Sequence, residues 1–208
     1  MSVNGNQRTQ PNKTSNRTAD ELVSPISTDN MATFLGLSLP LSVSDDCLIE
    51  GLLLSACQMY IDYSSNELLT RTYTFKSDRY PVRQESFSGL GATPSSQDWW
   101  VSFQMWPVSV INSVTVNEIL LTVTDEYTFD LDGKPSRLNL SDSIINDLVV
   151  SYDAGYATAA DVPKMVITGI QLLTAYLYEH RGACAVDNPI IESGANMLWS
   201  RERMIMSL

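Results

Sequence analysis

Residues Leu148–Gly182 read LVVSYDAGYATAADVPKMVITGIQLLTAYLYEHRG, and within them the chain passes from one pattern to another. Leu148 to Tyr152 is a short β-branched and aromatic run, the composition of a strand. From Asp161 to Arg181 apolar residues recur with the period of a helix. Between them Ala154-Gly155-Tyr156 supplies a sharp turn, since glycine adopts backbone angles that other residues resist. Asp161 is the expected cap, Pro163 fits the first turn where its missing N–H does no harm, and Gly182 marks the stop. A strand that turns into a long helix argues for an α+β domain with helix docked on sheet.

This helix carries too many apolar residues for one stripe. Val162, Met165, Val166, Leu172, Leu173 and Tyr176 cover one side, while Ile167, Ile170, Leu177 and Tyr178 cover a second. It is therefore expected to be buried almost all round, with the second side meeting a neighbouring subunit.

Working back toward the N-terminus, SDDCLIEGLLLSACQMYIDYSSN reads as another helix over 44–66. Ser44 is the expected cap, Asp45 and Asp46 suit the positive end of its dipole, and Leu48, Ile49, Leu52, Leu53, Ala56, Met59, Tyr60 and Tyr63 share a stripe. A shorter helix is expected over 27–37, capped by Ser27 or Thr28. Between the helical segments the period switches to two, giving strands at Leu69–Lys76, Trp99–Met105, Val110–Val123, Tyr127–Leu131 and Arg137–Leu140, with Asp132-Gly133 as a tight turn. The expectation is one small, mostly antiparallel sheet over 69–153, interrupted by a long Gly/Ser/Pro loop over 81–98 that is functional or disordered.

The two ends differ from this centre. Residues 1–26 form a polar arm that cannot offset its ordering entropy by burial and is expected to be mobile in isolation. Residues 183–208 carry Ile190, Ile191, Met197, Leu198, Trp199, Met204 and Ile205 among polar residues and read as a tail that packs onto something. The expected organisation is arm 1–26, domain 27–182 and tail 183–208.

With 208 residues, 44% of them hydrophobic, the chain can bury one sizeable core. No stretch reaches the roughly 18 apolar residues of a membrane span, and MSVNGNQRTQPNKTSNRTAD lacks the apolar run of a secretory signal, so a soluble, cytoplasmically made protein is expected. The formal net charge of -11 argues against wrapping duplex DNA, whose phosphates are neutralised by lysines and arginines. A passage lined with like charge would let DNA slide without sticking, although acidic surfaces are more often simply solvated.

Candidates for chemistry are few. His180 is the sole histidine and sits where a helix end favours a polar or cationic side chain, so a nucleophilic triad has little to build on. Cys47, Cys57 and Cys184 form no C-x-x-C pair and read as reduced thiols. Asp125, Glu126, Asp130 and Asp132 lack the ladder of a calcium loop and read as turn acids. Gly89-Leu90-Gly91 has no following G-K-[ST] and reads as a flexible loop rather than a phosphate cradle. Glu179 and Arg181 could pair across an interface, and one of Trp99 and Trp100 is expected in the core with the other at a contact. No catalytic residue, cofactor or metal is expected. A carboxylate-only hydrolase is the enzymatic alternative, but no acid here has a partner at motif spacing.

The order of elements and the junction motif resemble the adaptor family of long-tailed phages, also called head-tail connector proteins. The resemblance rests on the strand ending in Tyr152, the Ala154-Gly155-Tyr156 turn, Asp161-Val162-Pro163 opening the helix and Tyr178-Glu179-His180-Arg181 closing it. Asp45-Asp46-Cys47-Leu48-Ile49 and Trp106-Pro107-Val108 with Ile111 and Val114 add to it. It covers Ser27 to Gly182; the arm and the long loop depart from the compact family pattern.

The resemblance implies a structural virion protein: a homo-oligomeric ring of about twelve copies under the portal, bridging capsid and tail and lining the DNA passage, assembled in the host cytoplasm. It implies partners in the portal protein and the next neck or tail component, with genome DNA passing through unbound. Ring contacts are expected at Ile167, Ile170, Leu177 and Tyr178, and portal docking at Leu198, Trp199, Arg201 and Ile205. Gly155, Tyr156 and Pro163 are expected as structural turn residues. The alternative is a tail-completion or stopper protein, or another virion binding module.

Overall fold

A computed structural model describes residues 13–17, 22–77, 99–123, 126–133, 136–140, 147–182 and 188–202; at 13–17, 99 and 100 it describes the backbone alone. The loop expected over 81–98, the side chains of Trp99 and Trp100, Asp125, Cys184 and Ile205 therefore lie outside the described residues. The chain is α+β. Helices α1 (Thr28–Phe34), α2 (Val43–Ser64) and α3 (Lys164–Glu179), with the short α4 (Pro189–Glu192) and α5 (Ala195–Trp199), form one layer. The strands form two antiparallel sheets where one was expected.

The larger sheet runs β1 (Lys13–Arg17), β2 (Arg71–Ser77), β8 (Leu148–Ala154), β4 (Val108–Val116), β5 (Ile119–Leu120). The smaller runs β3 (Trp99–Ser102), β7 (Arg137–Leu140), β6 (Tyr127–Asp130). Strand β8 is central, and its Leu148, Val150, Tyr152 and Ala154 alternate inward. They meet Val101, Tyr127, Leu138 and Leu140 of the smaller sheet in a buried cluster, with Phe103 against Tyr152 at 4.5 Å between ring centroids. The second sheet exists because one face of β8 and its neighbours is apolar and needs a cover. A separate cluster lies among the helices, built from Ile49, Leu53, Ala56, Tyr60, Val166, Ile170 and Leu173.

Several boundaries differ from the sequence reading, each for a local reason. Helix α2 is capped by Ser42 rather than Ser44: the Asp45 N–H donates to Ser42 Oγ at 3.2 Å and the Ser42 hydroxyl to Asp45 Oδ2 at 2.6 Å. Helix α3 begins at Lys164, not Asp161, because a residue before proline is driven out of helical geometry. Asp161 instead closes the preceding turn, its Oδ2 accepting from the Thr158 N–H and hydroxyl at 3.0 and 2.7 Å. The strand expected over Val110–Val123 breaks at Asn117 and Glu118, both with positive φ (50° and 67°), which folds it into the β4–β5 hairpin. The arm expected to be mobile supplies β1, paired along β2 from Lys13 opposite Ser77 to Arg17 opposite Tyr73, and Ile26 is buried against the helices. The tail packs on its own domain, as α4 and α5 against α3.

Helix and sheet meet at Gly155. Its φ of 117° is one that side-chain-bearing residues rarely adopt, and a Cβ there would collide with the Leu69 carbonyl and lie 2.8 Å from the Thr70 nitrogen. This close approach lets the Gly155 N–H donate to Pro107 O at 2.8 Å and the Thr70 N–H to Tyr156 O at 3.1 Å. Three segments are thereby fastened together: the end of α2 with the start of β2, the β3–β4 link, and the end of β8. Gly155→Ala is expected to cost about 3–5 kcal/mol, since it combines a forbidden backbone angle with overlap against main chain. Urea unfolding followed by far-UV circular dichroism should show the lower midpoint.

Candidate assembly surfaces

Helix α3 divides its side chains more sharply than its sequence implies. Val166, Gly169, Ile170, Leu173 and Thr174 are buried, and Ile167, Leu177 and Tyr178 are half-buried. Within the chain itself α3 buries a single stripe. Ile170 has no exposed surface and serves the chain's own core, so it has nothing to offer a neighbouring subunit. Ile167 and Leu177 are half-buried against the helical core at the edge of this stripe, and Tyr178 is half-buried beneath the Arg181 guanidinium, which lies 4.5 Å over its ring. That stack holds a cation at a defined place at the helix end, with Glu179 and His180 exposed beside it. Beside it His180 caps the helix, its Nδ1 donating to Tyr176 O at 2.8 Å, as a polar group at the negative end of the helix dipole should.

The C-terminal segment is fixed by one side chain. Trp199 is fully buried, edge-on to Tyr60 with centroids 5.1 Å apart, and its Nε1 donates to Val166 O at 3.4 Å. The Nε1 edge of its indole lies against Gly169, where a Cβ would fall 2.7 Å from Cε2. Just beyond, Asn66 Nδ2 donates to Glu202 O at 2.7 Å. Trp199 is thus corrected from an expected docking residue to a core residue: an indole in contact with two helices gains more from burial than it could at an exposed position. Leu198 is half-buried against the helical core, while Arg201 is exposed, and Ile191 and Met197 stand out at 56% and 78% exposure.

The structure therefore keeps Ile167, Leu177 and Tyr178 on α3, the first two against the helical core, and places Leu198 and Arg201 in and after α5. Gly155 occupies the turn after β8, Tyr156 receives the Thr70 bonds with its hydroxyl pKa raised by burial, and Pro163 is the residue from which α3 starts. Two features escaped sequence reasoning. Gly169 looked like an ordinary helix interior glycine, although a glycine amid large apolar residues is a signal that something lies against it. The β4–β5 hairpin exposes Ile119 and Leu120 at 67% each, and Asn117, a residue tolerant of positive φ, was the available hint.

Other groups considered as chemical candidates have structural partners. Asp130 Oδ1 accepts the Gly133 N–H at 3.2 Å and closes the β6–β7 turn. Burial pushes the Cys57 thiol up to about 12, whereas Cys47 is exposed. Among the described residues no group of three or more His, Cys, Asp or Glu could hold a metal ion, and no helix is long and apolar enough to cross a membrane.

Two outcomes follow from this geometry. Trp199→Ala is expected to lower stability by about 3–5 kcal/mol, and Gly169→Ala to be destabilising despite its better helix propensity, both read by urea denaturation. At pH 8, with Cys184→Ser in place, a maleimide reagent should label Cys47 and leave Cys57 untouched until urea is added, as mass spectrometry would register.

No protein-family model and no curated protein matches the sequence. Solved structures do match in shape. A chain from the neck of an empty gene transfer agent particle, computed with C6 symmetry, aligns over 94% of this chain and 97% of its own with a TM-score of 0.71 at 15% identity. A chain from the neck of the native particle, computed with C12 symmetry, covers the same shares with a TM-score of 0.66 at 15% identity. One from the virion of the native particle covers 93% and 97% with a TM-score of 0.68 at 16% identity. Along nearly its whole length, the chain has the fold of these gene transfer agent chains.

Proposed function

We propose that this chain is a structural subunit of a virion neck, a head-to-tail adaptor that assembles as a ring beneath the portal and bridges capsid and tail. The observation that carries this reading is the near end-to-end fold likeness to chains from gene transfer agent particles, two of them from necks computed with C6 and C12 symmetry. The junction from Tyr152 through Pro163, which resembles phage adaptors in sequence, is the same junction that fastens helix to sheet here. The acidic balance supports a conduit through which DNA passes without specific contact.

In this reading the half-buried Ile167, Leu177 and Tyr178 of α3 contribute their remaining exposed surface to ring contacts. The C-terminal segment docks the portal through the exposed Met197 and Arg201 with the half-buried Leu198 beside them, while Trp199 holds the segment in place. The far side of the ring receives the next neck or tail component. Because Trp199 belongs to the core, truncating the tail would unfold the domain and mislead; Met197→Asp with Arg201→Glu leaves the indole intact.

Light scattering of the purified chain with its portal tests the reading. The expected outcome is co-migration at a subunit ratio near one to one, lost in the double variant, whose circular dichroism stays native. A wild-type chain indifferent to the portal would move the assignment to a tail-completion or stopper subunit.

A further inference from the structure

We infer that the N-terminal arm continues past β1 as a strap across the end of its own sheet, with residues 1–12 covering the β4–β5 hairpin. This goes beyond the ring reading and does not depend on it.

The strand registers place arm and hairpin in one line. Lys13 lies opposite Ser77, Ser77 opposite Leu148, Leu148 opposite Val116 and Val116 opposite Ile119. The arm therefore enters the sheet in the same transverse row from which the hairpin leaves it. Four strand spacings separate Lys13 from Ile119, about 19 Å. The residues before Lys13 span up to about 40 Å when extended, which leaves slack for a change of direction. Pro11-Asn12, just ahead of β1, is a pair suited to turning the chain across the strands.

The hairpin is a surface that calls for a cover. Ile119 and Leu120 are each 67% exposed in a two-residue edge strand that pairs only with β4, and Val123 just after it is 50% exposed. Folded proteins shield apolar sheet edges of this kind, because a bare one recruits other chains.

Charge selects the arm as the occupant. Glu118 sits at the hairpin turn, the Asn117 N–H donates to the Asp147 carbonyl at 2.9 Å, and Glu126 accepts from the Thr122 N–H and hydroxyl at 2.6 and 2.7 Å. Those bonds hold the Glu126 carboxyl below its usual range, so it stays ionised. Strands β4, β5 and β8 contain no lysine or arginine. The arm has the opposite sign: residues 1–19 hold Arg8, Lys13 and Arg17 with no acid, while all 24 acids fall in the rest of the chain. Arg8, five residues before Lys13, reaches up to about 17 Å from it, between the three and four strand spacings that separate β1 from β4 and β5. Val3 lies further along for Ile119 and Leu120. Two other segments adjoin this row, and neither matches. Residues 78–98 set Arg79 and Arg83 against Asp78, Glu85 and Asp98, and residues 141–146 carry Asp142 alone.

An exposed ion pair is weak, but the tether at β1 supplies an effective concentration in the millimolar range, at which a weak contact is populated. A cover held this way shields the hairpin in the free chain and yields to a partner that binds it better.

A pair of engineered thiols tests the contact in the full chain. With Cys47→Ser and Cys184→Ser in place, Asn4→Cys and Leu120→Cys put one thiol in the arm and one on the hairpin, and circular dichroism verifies the fold. Under oxidised glutathione the expected product is a disulfide within one chain, identified by mass spectrometry and formed at a rate independent of protein concentration. Adding Arg8→Glu should slow it at least about fivefold. A disulfide that joins two chains, faster at higher protein concentration, would assign the arm to another copy and overturn the strap. So would one that forms as fast with Arg8→Glu, which reports only chance encounters of the tether, or one that does not form. None of these outcomes bears on the ring reading, whose test is the mixture with portal.

Discussion

The approach of the Gly155 backbone to the Leu69 carbonyl is the constraint on which the remaining structure depends. A strand can hand its chain directly to a helix layer only if the turn between them lies flat on its neighbour. A side chain at 155 would hold the segments apart by more than a hydrogen bond can span. With glycine, Pro107, Leu69 and Tyr156 come into register, and the sheet core and helical core are joined through main-chain bonds, with Met105 packed against both. The buried Glu67 side chain at the same seam is satisfied locally. Glu67 accepts from the Tyr73 hydroxyl and from the Leu68 N–H at 3.1 Å, as a carboxylate taken out of water requires.

A second close approach governs the C-terminal end. Trp199 on Gly169 repeats the logic of Gly155 on Leu69, a missing side chain making room for a large contact. The consequence for function is a division of labour within a few residues. Trp199 faces inward and fixes the segment, while Met197 and Arg201 face outward and stay available. In the proposed docking role, a segment anchored this way would lose less conformational entropy on binding than a free tail.

Much of the fold was legible in the sequence. The period-two strands, the β8–α3 junction and, of the α2 stripe, Ile49, Leu53, Ala56 and Tyr60 follow from spacing, because periodicity reports which face is buried without naming its partner. Leu48 is instead exposed, Cys57 and Ile61 are buried, and the tight turn expected at Asp132-Gly133 is a six-residue connection between Asp130 and Arg137. What could not be read was the identity of those partners. The arm at Lys13–Arg17 carries little apolar content, and its place in the sheet comes from backbone bonds to β2, to which side-chain pattern is blind. The division of the strands into two sheets is likewise a matter of pairing over long sequence separation, as in β4 with β8. Helix starts were misplaced by one to three residues where Ser42 and Pro163 compete with nearby alternatives.

The candidate surfaces show the same boundary between what is local and what is not. By itself the sequence determined the α+β class, the polar cap at His180, the glycine turn at 155 and the paucity of catalytic groups, since each depends on residue chemistry within a few positions. Only the tertiary structure decided that Ile170 and Trp199 are core and that Ile119, Leu120, Met197 and Arg201 are surface. The physical reason is that an apolar side chain is driven out of water equally by its own chain or by a partner. Composition records that demand, and only packing shows which of the two meets it.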